Sequence, residues 1–234
     1  MDISVVAKQL LVAEKTKQAI APLTELYPTI SSEDAYRIQL AQIQQKKAAG
    51  AVVKGLKIGL TSKAMQKMLN VYTPDYGFIL DTMIFDENEE IPVNQFLQPK
   101  VEFEIAFVFN KELSGPNVTV QDVIDATDYV VPAVEIIDSR IRDWQIRFED
   151  TVADNGSSAG AILGNKRTAL TDILDIKAIK MRTTNNNAFI DEATSAAVLG
   201  NPLEAIVWLA NEISTFDVKI EPGMFALSGA LSKA

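Results

Sequence analysis

Two glutamates stand two residues apart in KVEFEIAFVF, residues 100–109, and a third lies inside YVVPAVEII, residues 129–137. Both runs have the β-branched and aromatic character of strands. Side chains alternate faces along a strand, so Glu102, Glu104, Ala106 and Val108 share one side, while Phe103, Ile105, Phe107 and Phe109 form the core side. The plain alternative for Glu102 and Glu104 is a solvated edge that touches only water. Their Cα atoms would stand about 7 Å apart, close enough for the carboxylates to converge on a cation that cancels their repulsion. Glu135 sits in the pattern of a strand buried on both faces, where an ionised carboxylate is costly unless paired or bound to metal. A salt bridge to Arg140 or Arg142, or an exposed edge, would explain it equally well. Carboxylates in a chain without histidine or cysteine describe an oxygen-preferring cation, Mg²⁺ or Mn²⁺ first and Ca²⁺ second.

With neither His nor Cys, proton transfer near neutral pH falls to Asp, Glu, Lys, Tyr or water. Lys57, in VVKGLKIGL, shares a strand face with Gly55 and Gly59, which leave room for a ligand to approach the backbone. Lys54 has the opposite parity and reads as solvated, an alternative that also stands for Lys57. Beside a bound metal and partly buried, Lys57 would have a lowered pKa suited to acid/base work. Asp75 follows Pro74 in the turn-forming stretch 73–77, where Asp is common for conformational reasons alone. The turn Ala153-Asp154-Asn155-Gly156-Ser157-Ser158 offers N–H groups and hydroxyls to an anion, but it lacks the spacing and lysine of a phosphate loop.

The balance of 22 basic against 31 acidic residues, a net charge of −9, with no basic patch, speaks against nucleic acid and anionic membranes as partners. Cysteine-free composition fits a reducing compartment, and MDISVVAKQLL does not read as a signal peptide, so a cytoplasmic location is expected. Neither eighteen consecutive apolar residues nor an internal repeat occurs in the chain.

The elements that must position these residues form an α+β pattern. Residues 1–50 read as helical, with Ser31 as N-cap, Asp34 three residues on, and Tyr36, Leu40 and Ile43 at helical spacing up to Gly50. From Val52 onward short β-like runs alternate with turns, interrupted by a helix-like piece from Lys63 to Leu69. Asn201-Pro202-Leu203-Glu204 opens a further helix, NPLEAIVWLANEI. One domain, 1–234, is expected: a helical section, 1–50, packed on a β-rich catalytic body, 51–234.

Six passages in order carry a family likeness: AIAPL from Ala19, KIGLTS at 57–62, PDYG at 74–77, LQPKVEFEIA at 97–106, SRIRDWQIRFEDTVADN at 139–155 and LGNPLEAIVWLAN at 199–211. By these the chain resembles the 2-keto-4-pentenoate hydratase family of the fumarylacetoacetate hydrolase superfamily, from about Ala19 to the last residues. The resemblance implies a mixed-sheet roll or barrel. It makes Glu102, Glu104 and Glu135 the metal ligands and Lys57 and Asp75 the acid/base pair, and it brings Ser157 near the substrate carboxylate. It further implies a homo-oligomer that hydrates 2-hydroxypenta-2,4-dienoate to 4-hydroxy-2-oxopentanoate in aromatic meta-cleavage. Members usually continue past the ALSGAL strand, so this chain is expected to be shortened or to close its barrel differently.

Two other functions compete. The same triad serves decarboxylases of 4-oxalocrotonate, although the SRIRDWQIRFEDTVADN block is more like the hydratase branch. From a different class, an ion-stabilised interaction protein would keep the triad for folding or partner binding. Such a protein would have no evident need for Lys57 and Asp75.

Overall fold

Helix α1 (Ile3–Thr16) begins where the Asp2 carboxylate accepts from the N–H groups of Ser4 and Val5, and it ends at Lys17 in the left-handed region. The computed structural model describes residues 1–68 and 70–232 of the chain. A short turn of helix, α2 (Leu23–Leu26), precedes α3 (Ser32–Ala48), which starts with the expected capping box of Ser31 and Asp34. The inner face of α3 carries Ala35, Tyr36, Ile38 and Ile43 together with two buried glutamines. Gln39 Nε2 donates to Tyr76 O and Val152 O at 2.8 and 3.0 Å, and Gln42 Nε2 donates to Ala153 O at 2.7 Å. A buried carbonyl without a donor would cost about 1–3 kcal/mol, so these glutamines tie the helical section to the two segments that flank the site.

The sheet strands are β1 (Val53–Gly59), β2 (Asp75–Leu80), β3 (Ile84–Phe85), β4 (Lys100–Phe109), β5 (Thr127–Ile137), β6 (Ser158–Leu163) and, entering near the chain end, β9 (Phe225–Leu227). Their spatial order is β2-β1-β9-β4-β5-β6-β3, with β1–β9 and β3–β6 parallel and the other pairs antiparallel. The two edge strands are consecutive in sequence and joined only by Asp81–Met83. Seven flat strands would hold those edges about 29 Å apart, twice the roughly 14 Å that such a connection can reach. The sheet therefore curls into the mixed half-barrel that it forms. One feature of the interior follows from this closure: Ile79, Leu80, Ala106, Val131, Ala133 and Leu227 pack together below the glutamates.

Between the strands lie α4 (Lys63–Met68), α5 (Val120–Ala126), α6 (Phe148–Ala153) and α7 (Pro202–Ile213). The last residue expected for α4, Leu69, lies outside the described residues. Asn201 Oδ1 accepts from Leu203 N at 3.1 Å, and α7 buries Leu203, Ile206, Leu209 and Ile213 against the apolar side of the sheet, with Phe107 and Phe109. A separate antiparallel ribbon, β7 (Lys180–Asn185) with β8 (Ala188–Thr194), is largely exposed. No helix among the described residues is long and apolar enough to cross a membrane.

Candidate active site

The three glutamates meet because β4 and β5 pair in one register. Glu102 lies directly opposite Glu135, and Glu104 follows Glu102 on the same face. One carboxylate oxygen from each falls within 4.8 Å of the others. At that spacing each pair of charges repels by about 3–4 kcal/mol at an effective dielectric of about 20. Glu104 and Glu135 are buried, and Glu102 reaches the wall of a cavity of about 540 Å³. Glu104 Oε2 accepts from Gly229 N at 2.7 Å, whereas Glu104 Oε1 and both oxygens of Glu135 have no hydrogen-bond partner among the described residues. Burial, reinforced by Glu135 and Glu102, raises the Glu104 carboxyl well above its ordinary value. Burial likewise pushes Glu135 up to about 8 against the opposing pull of Lys57. Buried acceptor oxygens without donors, all hard and all convergent, fit a divalent cation of the Mg²⁺ or Ca²⁺ kind. The salt bridge weighed for Glu135 is not made to either arginine: Arg140 pairs with Asp154, and Arg142 is exposed.

Lys57 and Asp75 come from the neighbouring hairpin. In the β1–β2 register Lys57 faces Gly77 and Gly59 faces Asp75, so each functional side chain stands opposite a glycine on one face. A Cβ on Gly59 would collide with the Asp75 carboxylate and stand 3.1 Å from Lys57 Nζ, which marks where the two groups converge. Asp75 is not in a turn, as its Pro74 neighbour suggests, but opens β2. Pro74 precedes the ladder and needs no donor there, and Tyr76 is held in the strand by stacking on Tyr36 with ring centres 4.7 Å apart. Asp75 is 2% exposed and Lys57 3% exposed, so Lys57 does not snorkel to water. Its pKa is not lowered by the chain's own charges: burial alone would lower it, but Glu135, Asp75, Glu102 and Glu104 outweigh burial and raise it. Burial raises Asp75, with Lys57 opposing.

Ser157 belongs to a turn in which Asn155, Gly156 and Ser157 all have φ between 56° and 59°. Left-handed backbone costs a non-glycine residue about 1 kcal/mol or more, so this turn must be held from outside. Asn155 does so by mimicking a strand: its side chain accepts from Phe78 N at 2.8 Å and donates to Phe78 O at 2.9 Å. Arg140 holds the other end, donating from Nε to Asp154 Oδ1 and from Nη2 to Asp154 O, each at 2.5 Å. The turn delivers Gly156 O to Lys57 Nζ at 2.9 Å, and Ser157 Oγ lies 3.2 Å from Thr151 Oγ1 on the cavity wall.

All six residues expected at the site thus surround one cavity or lie just beneath it. Missed from the sequence were Thr151, Gly229 and the Arg140–Asp154 pairing, while the sequence marks Asn155 and Ser158 as part of a turn that could hold an anion, not as anchoring that turn; Ser158 Oγ is buried with no hydrogen-bond partner among the described residues. Only the Asn-Gly pair and the glycine of ALSGAL offered a signal, as positions suited to positive φ. A larger cavity, about 720 Å³, lies along the apolar side of β4 and β5 beside Phe103, Ile105 and Val134. Its wall also carries Asp86, Glu87, Glu89, Lys166 and Lys180 and reaches Glu104 from the other side, whereas Lys57, Asp75, Glu102 and Ser157 line the smaller one.

A curled mixed sheet with three convergent glutamates beside a lysine–aspartate pair defines a class, and sequence comparison agrees: the chain belongs to the fumarylacetoacetate (FAA) hydrolase C-terminal family, which matches residues 41–232. Among its relatives, the 2-hydroxyhexa-2,4-dienoate hydratase of Comamonas testosteroni is 40% identical over 96% of this chain and 86% of its own length. The 2-keto-4-pentenoate hydratase of Paraburkholderia phymatum is 42% identical, covering 96% and 86%. In structure the chain is similar to 4-oxalocrotonate decarboxylase from Pseudomonas putida G7 complexed with magnesium and adipate. That likeness has a TM-score of 0.93 at 32% identity and covers 99% of this chain and 88% of that one. The same decarboxylase has also been solved with calcium and acetate.

Proposed function

We propose that the chain is a divalent-metal-dependent hydro-lyase that adds water to 2-hydroxypenta-2,4-dienoate, giving 4-hydroxy-2-oxopentanoate in aromatic meta-cleavage catabolism. The observation that carries this reading is the trio of convergent carboxylates, two of them buried with orphaned oxygens, beside a buried Lys57 and Asp75. Glu102, Glu104 and Glu135 would hold the ion, Mg²⁺ or Mn²⁺, with Ca²⁺ as a further fit. When bound, it supplies Lewis-acid polarisation of a 2-oxo acid's carboxylate and C2 oxygen. Protonation at the far end of the diene and ketonisation at C2 leave a conjugated enone, to which water adds at C4. Lys57 and Asp75 hold and move the protons of these steps, in a cavity walled in part by Leu60, Ile137, Trp144 and Ile146. Ser157, through its hydroxyl beside Thr151, orients the substrate carboxylate. Hydratase names among relatives at 40–42% identity support the reaction type.

Decarboxylation of 4-oxalocrotonate is the second reading, favoured by the structural likeness over nearly the whole chain. An ion-stabilised interaction protein would not need a lysine and an aspartate converging over glycines beside the triad. The whole chain, 1–234, acts in this reading as one catalytic unit. It also includes a cytoplasmic setting, for which the cysteine-free composition speaks, and a homo-oligomer, for which the exposed Val101, Phe189 and Ile190 speak. The test is to follow dienoate loss and CO₂ release side by side with Mg²⁺ present, in wild type and Lys57→Ala. Hydration without CO₂ release, abolished in Lys57→Ala while Mg²⁺ still binds, is the expected outcome. Release of CO₂ from 4-oxalocrotonate without hydration would establish the second reading instead.

A further inference from the structure

Lys57 is itself a cation placed beside a cation cage. Its Nζ stands 3.5 Å from Glu135 Oε2, closer than the 4.8 Å that spans the three glutamate oxygens. Attraction to three carboxylates would draw a flexible ammonium inward, where it would neutralise the acids and occupy the space that a metal needs. The ammonium pairs with Glu135 only at that ion-pair distance while it donates to Gly156 O at 2.9 Å, and neither Glu135 oxygen receives a hydrogen bond.

A carbonyl can restrain the lysine only if it is itself immobile. Gly156 stands in the middle of the left-handed turn, whose backbone would relax if released. The buried Arg140 spends its guanidinium on that turn: on the Asp154 carboxylate, on Asp154 O, and on Ser158 O at 3.3 Å. Its backbone N–H adds a bond to Asp154 Oδ2 at 2.8 Å. Arg140 and Asp154 also lie outside the cavity wall, so they act on the chemistry only through the turn.

We propose that the Arg140–Asp154 pair is a positioning device that keeps Lys57 out of the cation cage: by fixing Gly156 O it stops the lysine from acting as an internal competitor for the metal. This rests on the reading that the triad binds a divalent ion. A consequence peculiar to it is that loosening the turn weakens metal binding only where residue 57 is a lysine.

The experiment is a double-mutant cycle read by calorimetric titration of the full-length chain with Mg²⁺ alone, comparing wild type, Arg140→Lys, Lys57→Met and the double variant. Arg140→Lys should weaken Mg²⁺ binding on the order of tenfold, the worth of one hydrogen bond to a charged group, and by less than about twofold in the Lys57→Met background. Equal weakening in both backgrounds, or none in either, overturns the proposal, because a merely structural arginine has no way to sense residue 57. Should Arg140→Lys not fold, Asn155→Ala frees the opposite end of the turn from Phe78 and enters the cycle under the same criterion. A wild type that takes no Mg²⁺ would instead refute the reading of the triad, and this proposal with it.

Discussion

Glu135→Gln should make the metal-free protein more stable, not less. In wild type the Glu135 carboxyl is pushed up from 4.5 to about 8, mainly by burial. A raised carboxyl leaves stability intact below 4.5 and withdraws it as pH climbs toward 8, since the folded state must then hold a proton that the unfolded chain has released. At pH 7 that amounts to about 3 kcal/mol. The amide has no proton to lose, but it sets an NH2 group where a neutral carboxyl stood beside Lys57 at 3.5 Å, and this poorer match costs about 1 kcal/mol. The net gain of about 2 kcal/mol corresponds to a rise in Tm of about 4–8 °C for a chain of this size. Melting in EDTA at pH 7 and again near pH 5 reads it directly, and at the lower pH the difference should nearly vanish. Adding Mg²⁺ at about a hundred times Kd lifts wild type by about 2.7 kcal/mol and the variant by much less, so the order reverses. A variant less stable than wild type in EDTA at pH 7, or one that gains as much from Mg²⁺, would refute the argument that these buried acids are held for an ion.

Gly59→Ala places a methyl group against the Asp75 carboxylate and should reduce kcat by about a hundredfold while Mg²⁺ affinity changes little, as steady-state kinetics and titration calorimetry would show. Near-normal turnover would remove Asp75 from the chemistry. Asn201→Ala deletes the cap of α7 and should cost about 1 kcal/mol, or roughly 2–4 °C in Tm by scanning calorimetry, with turnover of the folded enzyme unchanged. Asp34 is held below its usual 3.8 by the hydroxyl and N–H of Ser31, so its capping contribution is present above that pH and fades as pH falls through the lowered value. The gap in Tm between wild type and Asp34→Asn should accordingly close in acid, and a gap constant with pH would argue against the capping box.

Much of the scaffold was legible because its causes are local. Ser31 with Asp34 and Asn201 with Pro202 mark helix starts through bonds spanning two or three residues, and both helices begin there. Strand alternation places Glu102 and Glu104 on one face, and the almost unbroken apolar run 129–137 marks the half of β5 that is buried around Glu135. Where a local rule pointed the wrong way, a distant contact had prevailed: Pro74 suggests a turn, yet Tyr76 stacks on Tyr36 of α3 and Asp75 enters the ladder opposite Gly59.

What the sequence determined by itself was therefore the inventory: three acids at strand parity, a lysine between glycines, and no histidine or cysteine, so that any metal must find oxygen ligands and any proton transfer must fall to Asp, Glu, Lys, Tyr or water. Only the tertiary structure decided that these groups meet. Register across β4 and β5 brings Glu102 opposite Glu135, the late strand β9 wedges between β1 and β4 to set the hairpin's lysine beside the triad, and a strained turn from residues 155–157 meets that lysine with a carbonyl. The physical reason is range. Propensity, parity and capping act over a few bonds along the chain, whereas burial and charge act through space, on whichever groups the closed sheet forces together.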